Sequence, residues 1–143
     1  AYAQSCYELG CTYFALDYLQ LATAGSEDAV YAATQQCVTE LRRFCLDTES
    51  TVLLLSQWNR TGSTSEKPPV AQNLHGGMIC EASADLVLGL DHTTVRRNLN
   101  KGYFKLLTLK NRHGPLVQGG IPIQIDFETL RVGEVSSDEN PWA

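Results

Sequence analysis

Three short apolar runs end on residues that could do chemistry. Thr12-Tyr13-Phe14-Ala15-Leu16 ends on Asp17, Thr51-Val52-Leu53-Leu54-Leu55 on Ser56-Gln57, and Leu86-Val87-Leu88-Gly89-Leu90 on Asp91. Such runs are typical of strands buried on both faces of a parallel sheet. In an open α/β sheet, ligands bind beyond the carboxyl ends of the strands. An Asp there suits Mg²⁺ held through water, because a hard cation takes oxygen ligands. A Gln on the adjoining strand is neutral and can donate and accept at once, which suits it to sense a γ-phosphate or orient a water. Taken alone, a strand-terminal Asp is often only a cap or turn residue.

Other constellations are weaker. His75, His92 and His113 are isolated and read as solvated or turn residues. Ser56 with a His and an Asp can be drawn as a hydrolase triad, but no G-x-S-x-G elbow supports it. The five cysteines, Cys6, Cys11, Cys37, Cys45 and Cys80, include no C-x-x-C pair and no His at ligand spacing. Zinc is therefore not expected, and reduced core thiols are. Lys110 and Arg112 alone read as a strand-end turn. Glu81 and Asp85 serve equally as support for a site or as element termini, and Trp58 as packing or as a stacking platform.

The elements that must position these groups follow from local pattern. Residues 3–10 read as a helix end closed by Gly10 as a C′ residue. After a small-residue loop at 22–26, Glu27 and Asp28 open a long helix to about Leu46. Its apolar stripe is Val30, Ala33, Cys37, Leu41 and Phe44, with Arg42 and Arg43 in the last turns. Residues 59–73, with Gly, Ser, Thr and Pro68-Pro69, read as a mobile loop. A short helix is expected around 78–83, a basic turn at 96–102 and a fourth strand at 104–109. The runs 121–127 and 130–135 form a terminal antiparallel hairpin. Strand and helix alternate, which implies an α/β fold with a mostly parallel sheet, right-handed crossovers and helices on its faces.

The order of the strings carries a resemblance. Leu16-Asp17-Tyr18-Leu19-Gln20-Leu21, an amphipathic helix and then Leu55-Ser56-Gln57-Trp58-Asn59-Arg60 resemble the Walker B strand and the S-Q-L-N-R strand of the DnaB family of replicative DNA helicases. Leu74-His75-Gly76-Gly77 to Glu81 and Ala84-Asp85-Leu86-Val87-Leu88 are similar to the following segment of that family. They are also similar to the mitochondrial twinkle helicase and phage helicase-primases. Lys110-Asn111-Arg112-His113-Gly114-Pro115 looks like the K-N-R-N-G-P signature. Residues 71–82 match only loosely.

The resemblance implies a partial RecA-like P-loop NTPase core: residues 1–135 as the C-terminal half of a helicase ATPase domain, and 136–143 as a disordered tail. Asp17 would be the Walker B aspartate and Mg²⁺ ligand, and Gln57 the γ-phosphate sensor. Lys110 and Arg112 would reach ATP bound by a neighbouring subunit, Arg112 as the arginine finger. The loop from Arg60 to Asn73 would contact single-stranded DNA, with Arg60 and Lys67 as its cations. The partners implied are single-stranded DNA, identical subunits in a hexameric ring, a primase and a helicase loader. The implied place is the nucleoid of a bacterial or phage-infected cell, or the mitochondrial nucleoid if the chain is twinkle-like.

Composition bounds the reading. The chain has 143 residues and a net charge of −5, which suits one modest domain and argues against a freestanding nucleic-acid binder. A ring sums a few cations from each subunit, so the charge leaves the helicase reading standing. No apolar run approaches the ~20 residues of a membrane span. Ala1-Tyr2-Ala3-Gln4 is no signal peptide, and its helical look suggests a piece or processed product of a longer protein. No G-x-x-x-x-G-K-[ST] string occurs, so the phosphate cradle is missing and the isolated chain is expected to be inactive. The rival reading is a non-catalytic truncated RecA-like lobe kept for interaction or oligomerisation. A RecA- or KaiC-like ATPase shares the fold, but the D-Y-L-Q-L and K-N-R-H-G-P strings argue against it.

Overall fold

The computed structural model describes residues 2–22, 27–59, 67–98, 100–136, 138 and 140–142. It divides into two compact units, Ala1–Asn59 with Leu74–Ala84, and Arg60–Asn73 with Asp85–Ala143.

The first unit is built around a parallel strand pair. Helix α1 (Tyr2–Glu8) stops where the sequence places a glycine. Gly10 has φ 91°, Cys11 N–H reaches the Cys6 carbonyl at 3.0 Å and Gly10 N–H reaches that of Tyr7 at 2.8 Å. These are the paired bonds of a Schellman stop. Strand β1 (Tyr13–Leu16) follows, then the single turn α2 (Leu19–Ala22), helix α3 (Glu27–Thr48) and strand β2 (Thr51–Leu54). The two strands pair in parallel, from Tyr13 opposite Thr51 to Leu16 opposite Leu54. Only a crossover can join parallel neighbours, and α3 supplies it.

Helix α3 runs two residues past its expected end. Arg42 and Arg43 therefore lie more than a turn from its C-terminus, and Arg43 pairs with Asp47 at 3.4 Å instead of with the terminal carbonyls. Among the described side chains of α3 the most deeply buried are Thr34 (1% exposed) and Val38 (4%), one step round the helix from the expected stripe. The cause is what α3 faces. Val38 packs with Leu19 of α2 and Cys80, flanked by Cys37, Leu54 and Ile79. Leu19 is wholly buried, a contribution of roughly 2 kcal/mol. Phe44 meets Phe14 edge-on with ring centroids 5.2 Å apart.

The strand pair is covered on one face only. Tyr13 (81% exposed), Leu53 (62%) and Leu55 lie open, while Phe14, Leu16, Val52 and Leu54 are half-buried. The five cysteines are free thiols. Burial, chiefly, pushes the Cys37 and Cys80 thiols up, so these two are poor nucleophiles. The unit closes with helix α4 (Gly77–Ser83), which packs on α3.

The second unit corrects the expectation of a mostly parallel sheet. The third apolar run opens β3 (Leu86–Asn98), which pairs antiparallel with β4 (Lys101–Asn111), followed by β5 (Ile121–Asp126) and β6 (Val132–Glu134). The basic segment expected as a turn at 96–102 is mostly strand: Arg96, Arg97 and Asn98 lie opposite Tyr103, Gly102 and Lys101. The link from Asn98 to Lys101 is far too short for a crossover of a dozen or more residues. Exposure also alternates: Leu86, Leu88 and Leu90 are open while Val87 and Asp91 are buried, the one-sided pattern of antiparallel strands. Asp91 thus lies inside a strand and is almost fully buried, not at an open strand end. The terminal hairpin forms as expected. In its turn, N–H bonds, that of Thr129 foremost, hold the Asp126 carboxyl below its usual range.

Among the described residues, no helix is long and apolar enough to cross a membrane.

Glu49 ends α3 in the left-handed region, at φ 52°, with Ser50 N–H on the Cys45 carbonyl. That conformation is strained for a residue with a Cβ, so Glu49→Gly is expected to stabilise the protein by about 0.5–1 kcal/mol, read as a higher denaturation midpoint.

Candidate functional site

Two of the expected residues share one edge of the first unit. Because β1 and β2 are parallel with Leu16 opposite Leu54, both chains leave the sheet on the same side. Asp17 follows β1 directly and Gln57 lies three residues beyond β2, and both are exposed. Leu55 N–H bonds the Leu16 carbonyl at 3.0 Å, and Leu55 accepts from Leu19 N–H at 2.9 Å. These bonds extend the pairing past both strand ends, so Asp17 is bracketed by Leu16 and Leu19, both bonded to Leu55 beyond β2.

The Gln57 side is pinned by the turn before α4. His75 N–H donates to the Gln57 carbonyl at 2.9 Å, and Trp58 bridges to Leu74 in antiparallel fashion. Trp58 is half-buried. The turn sits close against α3: at Gly76, with φ 71°, an added Cβ would lie 2.5 Å from Thr34 Cγ2. The sequence shows Gly76-Gly77 only as a loose match. Its physical content is this close approach.

Lys110 and Arg112 belong to the second unit. Lys110 lies in β4 opposite Val87, and Arg112 follows the strand. Arg112 N–H reaches the Asp85 carbonyl at 2.8 Å, so the pairing with the neighbouring strand continues into the turn that Arg112 opens. The Arg112 guanidinium also pairs with Asp85 Oδ1 at 2.6 Å, with the two side chains 39% and 42% exposed. Beyond it, Asn111 organises the turn, donating from Nδ2 to the Pro115 carbonyl and accepting His113 N–H at Oδ1. The sequence alone leaves the roles of Asp85 and Asn111 undecided. An Asx residue ahead of Gly114-Pro115 is the available signal for the second.

The remaining expectations are placed in part. Lys67 is exposed, and the loop after it tightens into a 3₁₀ turn at Ala71–Asn73, with Pro69 and Ala71 buried. Arg60 lies outside the described residues, as do the side chain of His92 and residues 61–66. Among the described residues, no three His, Cys, Asp or Glu side chains cluster to hold a metal ion. An open groove of about 480 Å³ between α1 and α3, lined by Gln4, Cys37, Leu41 and Phe44 among others, includes neither Asp17 nor Gln57.

A parallel β-α-β unit with an acid and a carboxamide at its carboxyl edge makes this an α/β protein, and that edge is where α/β sheets place their ligand sites. The chain belongs to the DnaB-like helicase C-terminal domain family, whose model matches residues 3–131. The solved structure of a DnaB-like replicative helicase and its interactions with primase is similar, with a TM-score of 0.62 and 22% identity over 79% of this chain. At that identity the likeness speaks to the fold. The chain spans 28% of that helicase chain. No curated protein matches this sequence.

Gly76→Ala tests the anchoring of the site. The added methyl meets Thr34 and the residue is left-handed, so a stability loss of about 2–4 kcal/mol is expected in chemical denaturation. A loss below about 0.5 kcal/mol would contradict the close approach.

Proposed function

We propose that this chain forms the metal, sensor and trans-acting part of an ATP-driven motor, in a replicative DNA helicase that unwinds duplex DNA by translocating on single-stranded DNA as a hexameric ring. The observation that carries the reading is the shared carboxyl edge, where the Leu16–Leu54 register brings Asp17 and Gln57 out on one side. It stands in a chain whose family is that of DnaB-like helicase C-terminal domains.

In this reading Asp17 holds Mg²⁺ of bound ATP through water. The exposed lone carboxylate fits that ion, which keeps several waters and takes one or two carboxylates besides the substrate phosphates. The metal, when bound, neutralises charge on the phosphates. Gln57 presents a carboxamide that can both accept from a water and donate to a γ-phosphate oxygen. Lys110 and Arg112 reach nucleotide held by a neighbouring copy of the protein, where the planar guanidinium of Arg112 suits a phosphoryl oxygen pair. Its pairing with Asp85 keeps the finger extended until a phosphate competes. An ion pair this exposed is worth at most about 1 kcal/mol, so the exchange costs little. Arg60 and Lys67 supply cations to the DNA backbone. The primase named with the similar helicase structure supports a primase as a protein partner; a helicase loader as a further partner and the nucleoid as the place of work complete the proposal.

Two measurements test this. The isolated chain should hydrolyse ATP negligibly, since its sequence contains no phosphate-cradling P-loop string. Robust turnover abolished by Asp17→Ala would overturn that division of labour. In the complete helicase, Arg112→Ala should lower turnover on the order of 10³-fold. Near-normal turnover would remove Arg112 from the finger role.

A further inference from the structure

The Ser56 hydroxyl sits at the carboxyl edge among three polar groups. Ser56 Oγ lies 3.3 Å from Gln20 Nε2, 3.3 Å from the His75 carbonyl oxygen and 3.4 Å from the carbonyl oxygen of Gln57. The amide nitrogen of Gln20 can only donate, so Ser56 accepts there, and its single hydrogen must go to one of two carbonyls. The Gln57 carbonyl already receives His75 N–H at 2.9 Å. The His75 carbonyl otherwise has the Cys80 thiol at 3.7 Å, a weak donor. The hydrogen therefore belongs on His75.

A directed chain results, from Gln20 to Ser56 to His75, closed by the return bond from His75 N–H to the Gln57 carbonyl. It touches three elements. Gln20 lies in α2, just after Asp17. Ser56 lies at the exit of β2, and His75 in the turn that packs Gly76 on α3. The backbone of Gln57 is thus gripped on both sides, by its neighbour Ser56 and through its own carbonyl. Its exposed side chain stays free to meet a ligand. Gln20 contributes through its amide nitrogen alone: its Oε1 is buried and has no hydrogen-bond partner.

We propose that Gln20 and Ser56 are positioning residues that fix the angle at which Gln57 leaves the sheet edge, and that they tie this angle to the segment carrying Asp17. The proposal rests on the reading of Gln57 as the γ-phosphate sensor, and deepens it.

The test is steady-state ATP hydrolysis by the complete helicase with single-stranded DNA, for Gln20→Met, Ser56→Ala, Ser56→Thr and Gln57→Ala, with the first two also combined with Gln57→Ala. Gln20→Met keeps the length of the side chain and removes the donor; Ser56→Thr keeps the hydroxyl. The expected result is a fall in kcat of about tenfold for Gln20→Met and Ser56→Ala, the scale of one hydrogen bond. KM for ATP should stay within about twofold, and Ser56→Thr should hold kcat near normal. Neither substitution should lower kcat further once Gln57 is Ala. Substitutions that merely loosen the fold would lower kcat in both backgrounds, and that multiplicative outcome overturns the positioning role. So does a fall confined to Gln57→Ala, which leaves the sensor reading intact. If Gln57→Ala itself leaves kcat unchanged, the sensor reading falls and the positioning role with it.

Discussion

The parallel pairing of β1 with β2 is the constraint on which the candidate site depends. Each strand is four residues long, and a short parallel ladder contributes little by itself. Its register is imposed by α3, which must bridge the two strands and bury Thr34 and Val38 against α2 and α4. A slip of one residue would exchange the half-buried Phe14 and Leu16 with the open Tyr13 and Ala15, and would move Gln57 relative to Asp17. Packing around Leu19 and Cys80 therefore sets how Asp17 and Gln57 are placed at the edge.

The second unit solves a different problem. In the proposed trans-acting role, Arg112 would have to be held out in an ordered position until it met a neighbour's phosphate. Arg112 follows directly on a strand of the four-stranded antiparallel sheet, and the Asp85 carboxylate pairs with its guanidinium. Because the carboxylate comes from the residue directly across the ladder, the guanidinium is aligned without being buried. Burial would have made its release expensive.

Much of this was legible in the sequence, for identifiable reasons. The stop at Gly10, the long helix from Glu27 and the terminal hairpin each follow from short-range rules that tertiary contacts did not override. The Asp17 and Gln57 positions could be read because a strand end marks a sheet edge whatever lies around it. The antiparallel course of Leu86–Asn98 was not legible. Three leucines, Val87 and Gly89 make an unbroken apolar run, which hides an alternation visible only in the fold. The burial line of α3 was misplaced for a related reason: Thr34 is polar, so the pattern passed over the most deeply buried of the helix's described positions. The bond between Gln20 and Ser56 gave no signal, since a hydrogen bond between residues 36 apart leaves no spacing to detect.

The uncovered row formed by Tyr13, Leu53 and Leu55 has a consequence for handling. Soluble proteins rarely leave contiguous apolar strand surface open to water, and Leu86, Leu88 and Leu90 add a second such row. Two sticky stripes on one short polypeptide favour self-association as concentration rises. Low protein concentration, or a fused solubilising partner, belongs in any attempt to purify this segment by itself.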